Sequence, residues 1–236
     1  MNTVLQVRNL SKDFYLYNPG RVIDGCRDVS FSLREKEFLG ITGASGSGKS
    51  TILKCIYQTY RVKSGEIFYF SPTAGCVDLT KIPEREITRI RRQEIGYVSQ
   101  FLETLPRVTA RQIVEDSALE AGVSREEAQK AAEEVLNYFK LPLSLWDIYP
   151  YMFSGGEKLR LNLAKAMVKT PRLLLLDEPT ASLDEDAKKL VKELLQKLIQ
   201  KGTAMIGIFH DLDFMRGLCD HVYNMAHGGE AGKGNL

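Results

Sequence analysis

The sequence GASGSGKST occupies positions 43–51 and fits the pattern G-x-x-x-x-G-K-[ST]. Its residues are Gly43, Ala44, Ser45, Gly46, Ser47, Gly48, Lys49, Ser50 and Thr51. Glycines permit backbone conformations in which successive N–H groups turn toward phosphate oxygens. The lysine of this pattern reaches the β- and γ-phosphates, and the serine hydroxyl is a ligand for Mg²⁺. The pattern therefore predicts a nucleoside triphosphate site at the positive end of a helix.

The flanks of this loop have the composition that the motif requires. Phe38–Thr42 is a short apolar run typical of a strand, and Thr51–Tyr57 has the spacing of an amphipathic helix. An ordinary glycine turn between a strand and a helix is the alternative. The complete motif between the two expected elements favours the phosphate loop.

Composition limits the other classes of function. The chain has 236 residues, 44% of them hydrophobic, and a net charge of +2, which gives no electrostatic argument for nucleic acid or for an anionic membrane surface. Its four cysteines are scattered, so neither a metal site nor a disulfide framework is indicated. The N-terminus lacks the apolar segment of a signal peptide, and no run approaches the length of a membrane span. We expect a cytoplasmic protein.

Upstream of the loop the sequence predicts a small antiparallel sheet. Val4–Leu10 and Val29–Leu33 alternate apolar and polar residues, as half-buried strands do. Between them, Phe14 and Tyr15 precede a turn signal at Asn18-Pro19-Gly20. These aromatic residues either cover the sheet or provide the face on which adenine stacks, and the residues alone leave both open.

Between the loop and position 145 the pattern turns from strands to helices. Gly65–Phe70 and Ile95–Ser99 read as strands, and Thr80–Glu94 as a solvated helix with Pro83 near its first turn. Helices are then predicted over Thr109–Ala121 and Ser124–Lys140, the second opened by the capping box Ser124-Arg-Glu-Glu127. This part has the character of a helical insertion into an α/β core.

A second glycine pair precedes another helix. Ser154-Gly155-Gly156-Glu157 leads into Lys158–Lys169, where Leu159, Leu163, Ala166 and Met167 share one face. A helix that begins this way is either a second anion site or simply a capped helix.

Two carboxylates end an aliphatic run. Leu173–Leu176 reads as a strand buried on both faces, and Asp177 and Glu178 follow at its carboxyl end, where open α/β sheets bind ligands. Asp177 is placed to hold Mg²⁺ through water, and Glu178 to orient or deprotonate a hydrolytic water. An acidic loop without function is the alternative, and the phosphate loop in the same chain argues against it.

The last part repeats the helix–strand alternation. Glu185–Lys201 is amphipathic and stops at Gly202, and Ala204–Phe209 reads as a buried strand. The strand ends at His210, which is either a structural histidine or a contact of the γ-phosphate. Residues 227–236 are expected to be a flexible tail.

In this order the motifs resemble those of the ATP-binding cassette (ABC) ATPases from about Val4 to Met225. They are Walker A at Gly43–Thr51, the Q-loop Gln100, the signature 153–157, Walker B at Leu173–Asp177 with Glu178, the D-loop 182–184 and the switch His210. The resemblance implies an α/β P-loop NTPase of ABC type, with a mostly parallel core sheet, an antiparallel β subdomain and a helical subdomain. It implies one nucleotide-binding domain, with a core over 1–100 and 156–226 and a helical subdomain over about 101–155.

The resemblance also implies roles for individual residues. ATP and Mg²⁺ would be bound by the loop together with Phe14 or Tyr15, Asp177 and Gln100, while Lys49, Glu178, Gln100 and His210 would act in hydrolysis. Two cassettes of this family pair head to tail, so Ser154 and Gly156 would bind the γ-phosphate held by a second ABC subunit. Gly155 and Asp184 are also expected to bind nucleotide. Phe153 and Glu157 depart from the usual Leu and Gln of the signature. We expect catalysis to survive and Glu157 to face away from the triphosphate.

Three segments narrow the resemblance further. Val98–Leu102 with Leu105–Val108, Phe153–Glu157 and Gly207–Asp211 are similar to the PhnL-type ATP-binding subunit of the phosphonate carbon–phosphorus lyase system. This implies partners in a soluble phosphonate-processing complex. The alternative is the cassette of a lipoprotein-releasing or macrolide-type exporter. A membrane permease would then dock near Gln100–Arg107, with the chain peripheral to the inner face of the membrane.

Overall fold

The computed structural model describes residues 2–15, 22–99, 102, 106–180, 183–209 and 211–226, and the backbone of 229–232. Its strands are β1 (Thr3–Tyr15), β2 (Val22–Arg34), β3 (Phe38–Thr42), β4 (Ser64–Ser71), β5 (Gly75–Asp78), β6 (Ile95–Val98), β7 (Leu173–Asp177), β8 (Ala204–Ile208), β9 (His221–Asn224) and β10 (Gly229–Gly232). Its α-helices are α1 (Lys49–Ile56), α2 (Glu84–Gln93), α3 (Ala110–Glu120), α4 (Arg125–Tyr138), α5 (Gly155–Met167), α6 (Glu185–Gln200) and α7 (Leu212–Met215). Short 3₁₀ turns lie at Leu143–Leu145 and Pro150–Met152.

The core sheet has the order β10-β9-β3-β8-β7-β6, in which β9, β3, β8, β7 and β6 are parallel. Parallel strands place their carboxyl ends at one edge. Thr42, Val98, Asp177 and Ile208 are therefore the last strand residues on the same side of the sheet. This edge is where the phosphate loop and the acidic pair were predicted to meet.

β7 shows why the sheet is buried on both faces. Leu173 and Leu175 pack in the cluster shared with α1 and the antiparallel sheet, whereas Leu174 and Leu176 pack with α5 and α6 on the other face. Successive side chains of a strand point to opposite faces, so a continuous leucine run fills both cores. Each fully buried leucine contributes roughly 1.5–3 kcal/mol relative to exposure.

The antiparallel sheet has the order β2-β1-β4-β5, and its first two strands are longer than the sequence predicts. β1 continues past Leu10 to Tyr15, and β2 already begins at Val22. Asn9 and Asp28 have positive φ angles of 48° and 50°, and the β1–β2 register shifts between Val7 and Leu10. These irregularities interrupt the alternation on which the predicted boundaries relied.

Caps determine where the helices begin. Thr109, Ser124 and Ser154 each accept a hydrogen bond from the backbone N–H three residues on, in complete capping boxes. The first two confirm the predicted starts of α3 and α4. The predicted start was wrong for α2, which begins at Glu84 with Pro83 as its N-cap rather than at Thr80. α5 begins at Gly155 with Ser154 as its N-cap, within the serine–glycine helix start that the sequence indicated.

Three short strands were not predicted. β5 pairs with β4, β9 lies beside β3, and β10 pairs with β9 where the sequence indicated only a flexible tail. Each has four residues, and none is the kind of apolar run that made the equally short β6 recognisable.

α3 and α4 pack on each other and against α5. Ser117 of α3 donates to the carbonyl oxygen of Lys165 in α5 at 2.8 Å, which ties the helical layer to the core. Among the helices of the described residues, none is long and apolar enough to cross a bilayer.

Candidate nucleotide-binding site

The loop between β3 and α1 has a backbone that only glycine accommodates at its last position. Gly43, Gly46 and Gly48 all have positive φ, and Gly48, with φ of 91°, is the residue that precedes α1. A Cβ at Gly48 would lie 1.5 Å from the carbonyl oxygen of Gly25 in β2. The loop is thus held against the antiparallel sheet by a contact that excludes any side chain.

Polar groups of the loop suit an anion. The Lys49 ammonium is buried and donates to the carbonyl oxygens of Gly43 and Ala44 at 2.9 Å each, so it lies across the loop. Ser47 Oγ is buried without a hydrogen-bond partner among the described residues. An unpartnered buried hydroxyl is costly unless a ligand satisfies it, and phosphate oxygens accept from both groups.

The residues predicted to hold Mg²⁺ are joined directly. Ser50 Oγ donates to Asp177 Oδ1 at 2.7 Å, and Tyr97 Oη donates to Asp177 Oδ2 at 2.7 Å. Both carboxylate oxygens are oriented, and Asp177 is buried at the end of β7. Hydroxyl and carboxylate oxygens are the ligands that Mg²⁺ prefers, so the pair fits this ion. Bound there with ATP, Mg²⁺ would neutralise charge on the β- and γ-phosphates.

Tyr97 is a site residue that the sequence analysis missed. Burial, and next the hydrogen bond to Asp177, raise the pKa of Tyr97, so its hydroxyl remains a donor at neutral pH. Its ring packs 5.0 Å from that of Tyr57 at the end of α1. The available signal was its place on the strand beside β7, where Tyr97 pairs with Leu175.

Glu178 has an unusual backbone. Its φ is 51°, and its N–H donates to the carbonyl oxygen of Ile208 at 3.1 Å, which extends the β7–β8 pairing by one residue. A non-glycine residue in the left-handed region carries conformational strain, and such strain concentrates at functional sites. The half-buried carboxylate leaves the sheet directly after Asp177.

The signature residues begin α5. Ser154 Oγ accepts from the Glu157 N–H at 3.3 Å, and the Glu157 carboxylate folds back to accept from the Ser154 N–H at 2.8 Å. Glu157 therefore completes a capping box, as Gln112 does for α3, and its carboxylate is held by the backbone of its own helix. Phe153 is buried in the core cluster of α3, α4 and α5, where a large apolar side chain is required.

Within the described part of the chain, the signature residues and the Ser50–Asp177 pair line two different cavities. Ser154, Gly155, Gly156 and Asp184 line a cavity of about 400 Å³ between the starts of α5 and α6. Ser50 and Asp177 line a different one of about 610 Å³, between α1, α3 and α5.

The two aromatic candidates for adenine differ in position. The Phe14 ring packs edge-on against Tyr60 at 5.2 Å, with the Lys12 ammonium 5.2 Å from its centre. A Cβ at Gly25 would lie 2.6 Å from Phe14 Cε2 and 3.1 Å from Thr51 Cγ2, so Phe14 is close to α1. Tyr15 is 79% exposed. The geometry favours Phe14 as the adenine neighbour, although that role stays a prediction.

Gln100, Ser182 and His210 lie outside the described residues, so their roles stay predictions. Their neighbours in sequence are described. Ser99 accepts from the Asn162 side-chain amide of α5 at 3.1 Å, and Asp211 caps α7 through the Phe214 N–H at 3.0 Å.

A comparison with known proteins shows the family to which this chain belongs. The family model described as ABC transporter matches residues 26–181, about two thirds of the chain. The chain belongs to this family. It is therefore an ABC-type ATPase that uses ATP with Mg²⁺, in the cassette fold that the motifs predicted.

Relatives and solved structures match along almost the whole chain. A putative hemin import ATP-binding protein, HrtA of Staphylococcus haemolyticus, is 34% identical over 88% of this chain and 90% of its own. The lipoprotein-releasing system ATP-binding protein LolD of Idiomarina loihiensis is 34% identical over 89% and 90%. The dimeric structure of MJ0796, a bacterial ABC transporter cassette, superposes with a TM-score of 0.88 at 28% identity, over 98% of this chain and all of that one. The same cassette is known as a dimer bound to ADP and phosphate, with a TM-score of 0.87.

Proposed function

We propose that this chain is the ATP-hydrolysing subunit of a membrane ABC transporter, in which the permease is a separate polypeptide. The observation that carries the proposal is the likeness to HrtA and LolD, ATP-binding proteins named for import and release systems, over about nine tenths of each chain. The chain would then lie at the inner face of the membrane only through its partner.

The working unit of this proposal is a head-to-tail dimer. The MJ0796 cassette, similar over the whole chain, is dimeric. In the described residues of this chain, the signature residues and the Ser50–Asp177 pair line different cavities, which supports a site completed by a second protomer. A second protomer would supply Ser154, Gly155, Gly156 and Asp184 to nucleotide bound at Lys49.

Each residue then has a defined task. Lys49 and the loop N–H groups bind the phosphates, and Ser50, Asp177 and Gln100 hold Mg²⁺. Glu178 orients water and accepts its proton, with His210 beside the γ-phosphate. Ser154 and Gly156 of the partner subunit's signature place hydrogen-bond donors where charge spreads in the transition state.

The larger cavity supports the expected docking region of a permease. It adjoins Ser99, one residue before the predicted docking segment Gln100–Arg107, and Lys54, Lys165 and Lys169 line it. Burial lowers the pKa of Lys169 to about 8, and its ammonium donates to the carbonyl oxygen of Arg91. A partner segment bound at the Ser99 side of this cavity would touch α5.

A second candidate is an ATPase subunit of a soluble phosphonate-processing complex. The segments Val98–Leu102, Phe153–Glu157 and Gly207–Asp211 favour it, since they resemble the PhnL-type subunit. The relatives named above are described by hemin import and lipoprotein release, which favours the transporter. Both candidates share the ATP site and differ only in the partner.

One experiment separates these partners. Tagged Glu178→Gln protein is captured with Mg-ATP from its native cells, beside Lys49→Ala as the control that fails to retain nucleotide. A permease retained by Glu178→Gln and lost with Lys49→Ala supports the transporter. Soluble phosphonate-pathway subunits retained in the same way overturn it in favour of the second candidate. Deletion of the gene provides a check, because loss of growth on methylphosphonate as sole phosphorus source is expected only for the second candidate.

A further inference from the structure

The turn before the signature carries exposed apolar side chains. Phe153 is buried, and its N–H donates to the carbonyl oxygen of Pro150 at 3.1 Å. Tyr151 and Met152 lie within this turn and are 71% and 67% exposed. The ring of Tyr151 stacks with that of the exposed Tyr149, with 6.5 Å between the ring centres. Phe153 thus anchors a turn that holds Tyr149, Tyr151 and Met152 at the surface, and these three residues form what we call the signature patch.

The composition around the signature patch is that of a protein interface. No residue from 148 to 156 is charged, in a chain of which 26% is charged. Interface cores are depleted in charged residues and enriched in tyrosine and methionine. Single exposed apolar residues are common and need no partner, whereas a contiguous group of them indicates an interaction site. The signature patch is such a group, because its members are close in sequence and two of them stack on each other.

A second exposed apolar group lies beside the predicted adenine site. Val22 and Ile23 begin β2, the outer strand in the order β2-β1-β4-β5, and are 52% and 49% exposed. Ile23 pairs with Phe14, and Val22 pairs with Tyr15. Paired residues of antiparallel strands share a face, so Ile23 lies on the face of Phe14, whose ring packs against Tyr60 after α1. Tyr15, Val22 and Ile23 form the sheet patch, and an exposed apolar outer strand is a site for association.

We propose that the signature patch of one subunit packs on the sheet patch of the other, with Met152 against Ile23. The occupant of each patch is therefore a second copy of this chain. The proposal rests on the head-to-tail dimer described under the proposed function, in which Ser154 lies at the nucleotide bound by Lys49 of the other subunit. Met152 is two residues before Ser154, and Ile23 shares the face of Phe14, the predicted neighbour of the adenine. The contact thus continues the dimer interface from the triphosphate toward the base.

The position of the signature patch distinguishes a dimer contact from the docking of a permease. Leu143 is as exposed as Tyr151, at 71%, but lies further from the signature in the chain. A general apolar docking surface on the helical layer would include Leu143, whereas the dimer contact needs only residues that adjoin Ser154. Because both patches are apolar, their contact strengthens the dimer without an ion pair and is little affected by salt.

The test exchanges charges across the contact in the Glu178→Gln background. The dissociation constant of the dimer with Mg-ATP is measured by sedimentation for Met152→Lys, Ile23→Glu and the double variant. A single new charge has no partner in the contact, so each single variant should raise the constant roughly tenfold or more. In the double variant the new ammonium of one subunit meets the new carboxylate of the other, which should return the constant to within about threefold of the parent. Leu143→Lys should equal the parent.

Two further measurements make the single variants interpretable. Thermal melting checks that each variant folds, and Tyr151→Lys in the same patch replaces Met152→Lys if that variant unfolds. ATP titration of the dilute monomer checks nucleotide binding within one subunit. Met152→Lys should bind ATP as the parent does, because Met152 contacts nucleotide-bound sheet residues only across the dimer.

The possible outcomes separate this contact from the dimer itself. A parent that stays monomeric with Mg-ATP overturns the head-to-tail dimer and this contact with it. A dimeric parent whose single variants are not weakened, or whose double variant does not recover, overturns only the contact. Equal weakening by Leu143→Lys also overturns it. A permease that is lost from captured Met152→Lys protein while the dimer is unchanged assigns the signature patch to the permease and overturns the contact as well.

Discussion

The hydroxyl of Ser50 donates a 2.7 Å hydrogen bond to Asp177, a residue 127 positions later in the chain. Ser50 is in the first turn of α1 and Asp177 ends β7, so this bond joins the phosphate loop to the acidic edge of the sheet. Ser50 Oγ and Asp177 Oδ1, the oxygens that the sequence predicts as Mg²⁺ ligands, are therefore adjacent in the folded chain.

Tyr97→Phe tests how Asp177 is oriented. The change removes the hydroxyl that donates to Asp177 Oδ2 at 2.7 Å and leaves the ring contact with Tyr57. A lost hydrogen bond to a carboxylate costs about 1.5 kcal/mol, so the Mg²⁺ concentration for half-maximal ATPase should rise roughly tenfold. Tyr57→Phe, in the neighbouring ring, is the matched control. Equal metal dependence in both variants would remove Tyr97 from the site.

Lys49→Ala should weaken ATP binding itself. The buried ammonium lies across the loop at the carbonyl oxygens of Gly43 and Ala44, and a charge-assisted hydrogen bond from it to a phosphate would be worth roughly 1.5–3 kcal/mol. The dissociation constant in titration calorimetry should rise about tenfold or more. Lys54→Ala on the same helix removes a lysine whose ammonium lies 5.5 Å from the centre of the Tyr60 ring, and it should have a much smaller effect. Unchanged affinity in Lys49→Ala would contradict the assignment.

Gly48→Ala and Gly46→Ala separate steric exclusion from backbone strain. Both positions have positive φ, at 91° and 78°, so alanine is strained at either by roughly 1–2 kcal/mol. At Gly48 the new Cβ would also meet the Gly25 carbonyl oxygen at 1.5 Å, whereas nothing lies within 4 Å at Gly46. Gly48→Ala should lose ATP binding or fail to fold, and Gly46→Ala should lose only a few degrees of melting temperature. Similar melting curves for the two would refute the close contact with β2.

The cysteines should differ sharply in reactivity. Burial raises the pKa of Cys26 to about 11 and of Cys55 and Cys219 to about 12, while Cys76 is exposed. The thiolate is the reactive form, so a disulfide reagent at neutral pH should modify Cys76 rapidly and the others only on unfolding. Cys76→Ser should abolish the rapid phase. A second fast thiol in that variant would show that one of the three is not buried in solution.

The same pKa shifts fix the sign of an alkaline effect. A raised pKa means that folding disfavours the thiolate, so above the ordinary thiol pKa of 9.0 the native state binds more protons than the unfolded chain. Stability is then complete below pH 9 and falls as pH rises through about 11 to 12. Cys55→Ala should reduce this loss, which denaturant titrations at several pH values would detect.

Much of the site was predictable because its determinants are local. The glycine spacing from Gly43 to Gly48, the leucine run before Asp177 and the capping residues Thr109 and Ser124 act within a few positions of the chain. Local rules of this kind define the loop, a buried strand and two helix starts without reference to the rest of the fold. The order of these motifs along the chain then predicted the family and its ATPase activity.

Features of the site and fold that depend on contacts between distant parts of the chain could not be predicted from the sequence. Tyr97 reaches Asp177 across 80 positions, and Lys188 reaches Asp211 across 23, and neither pairing leaves a pattern in the sequence. The lengths of β1 and β2 were underestimated because bulges break the alternation. The role in a phosphonate-processing complex was inferred from short sequence segments. The relatives named above are described by hemin import and lipoprotein release, so this role stays a prediction.

The central claim is that Glu178 completes an ATP site that closes between two subunits. Glu178→Gln keeps the size of the side chain and one acceptor oxygen but removes the base, and Glu193→Gln on the exposed face of α6 is the control. We measure turnover and, by light scattering, mass with Mg-ATP. Turnover of Glu178→Gln should fall by about 10²-fold or more while ATP stays bound and the mass doubles. Hydrolysis close to that of Glu193→Gln, or a monomer at saturating ATP, would contradict the account.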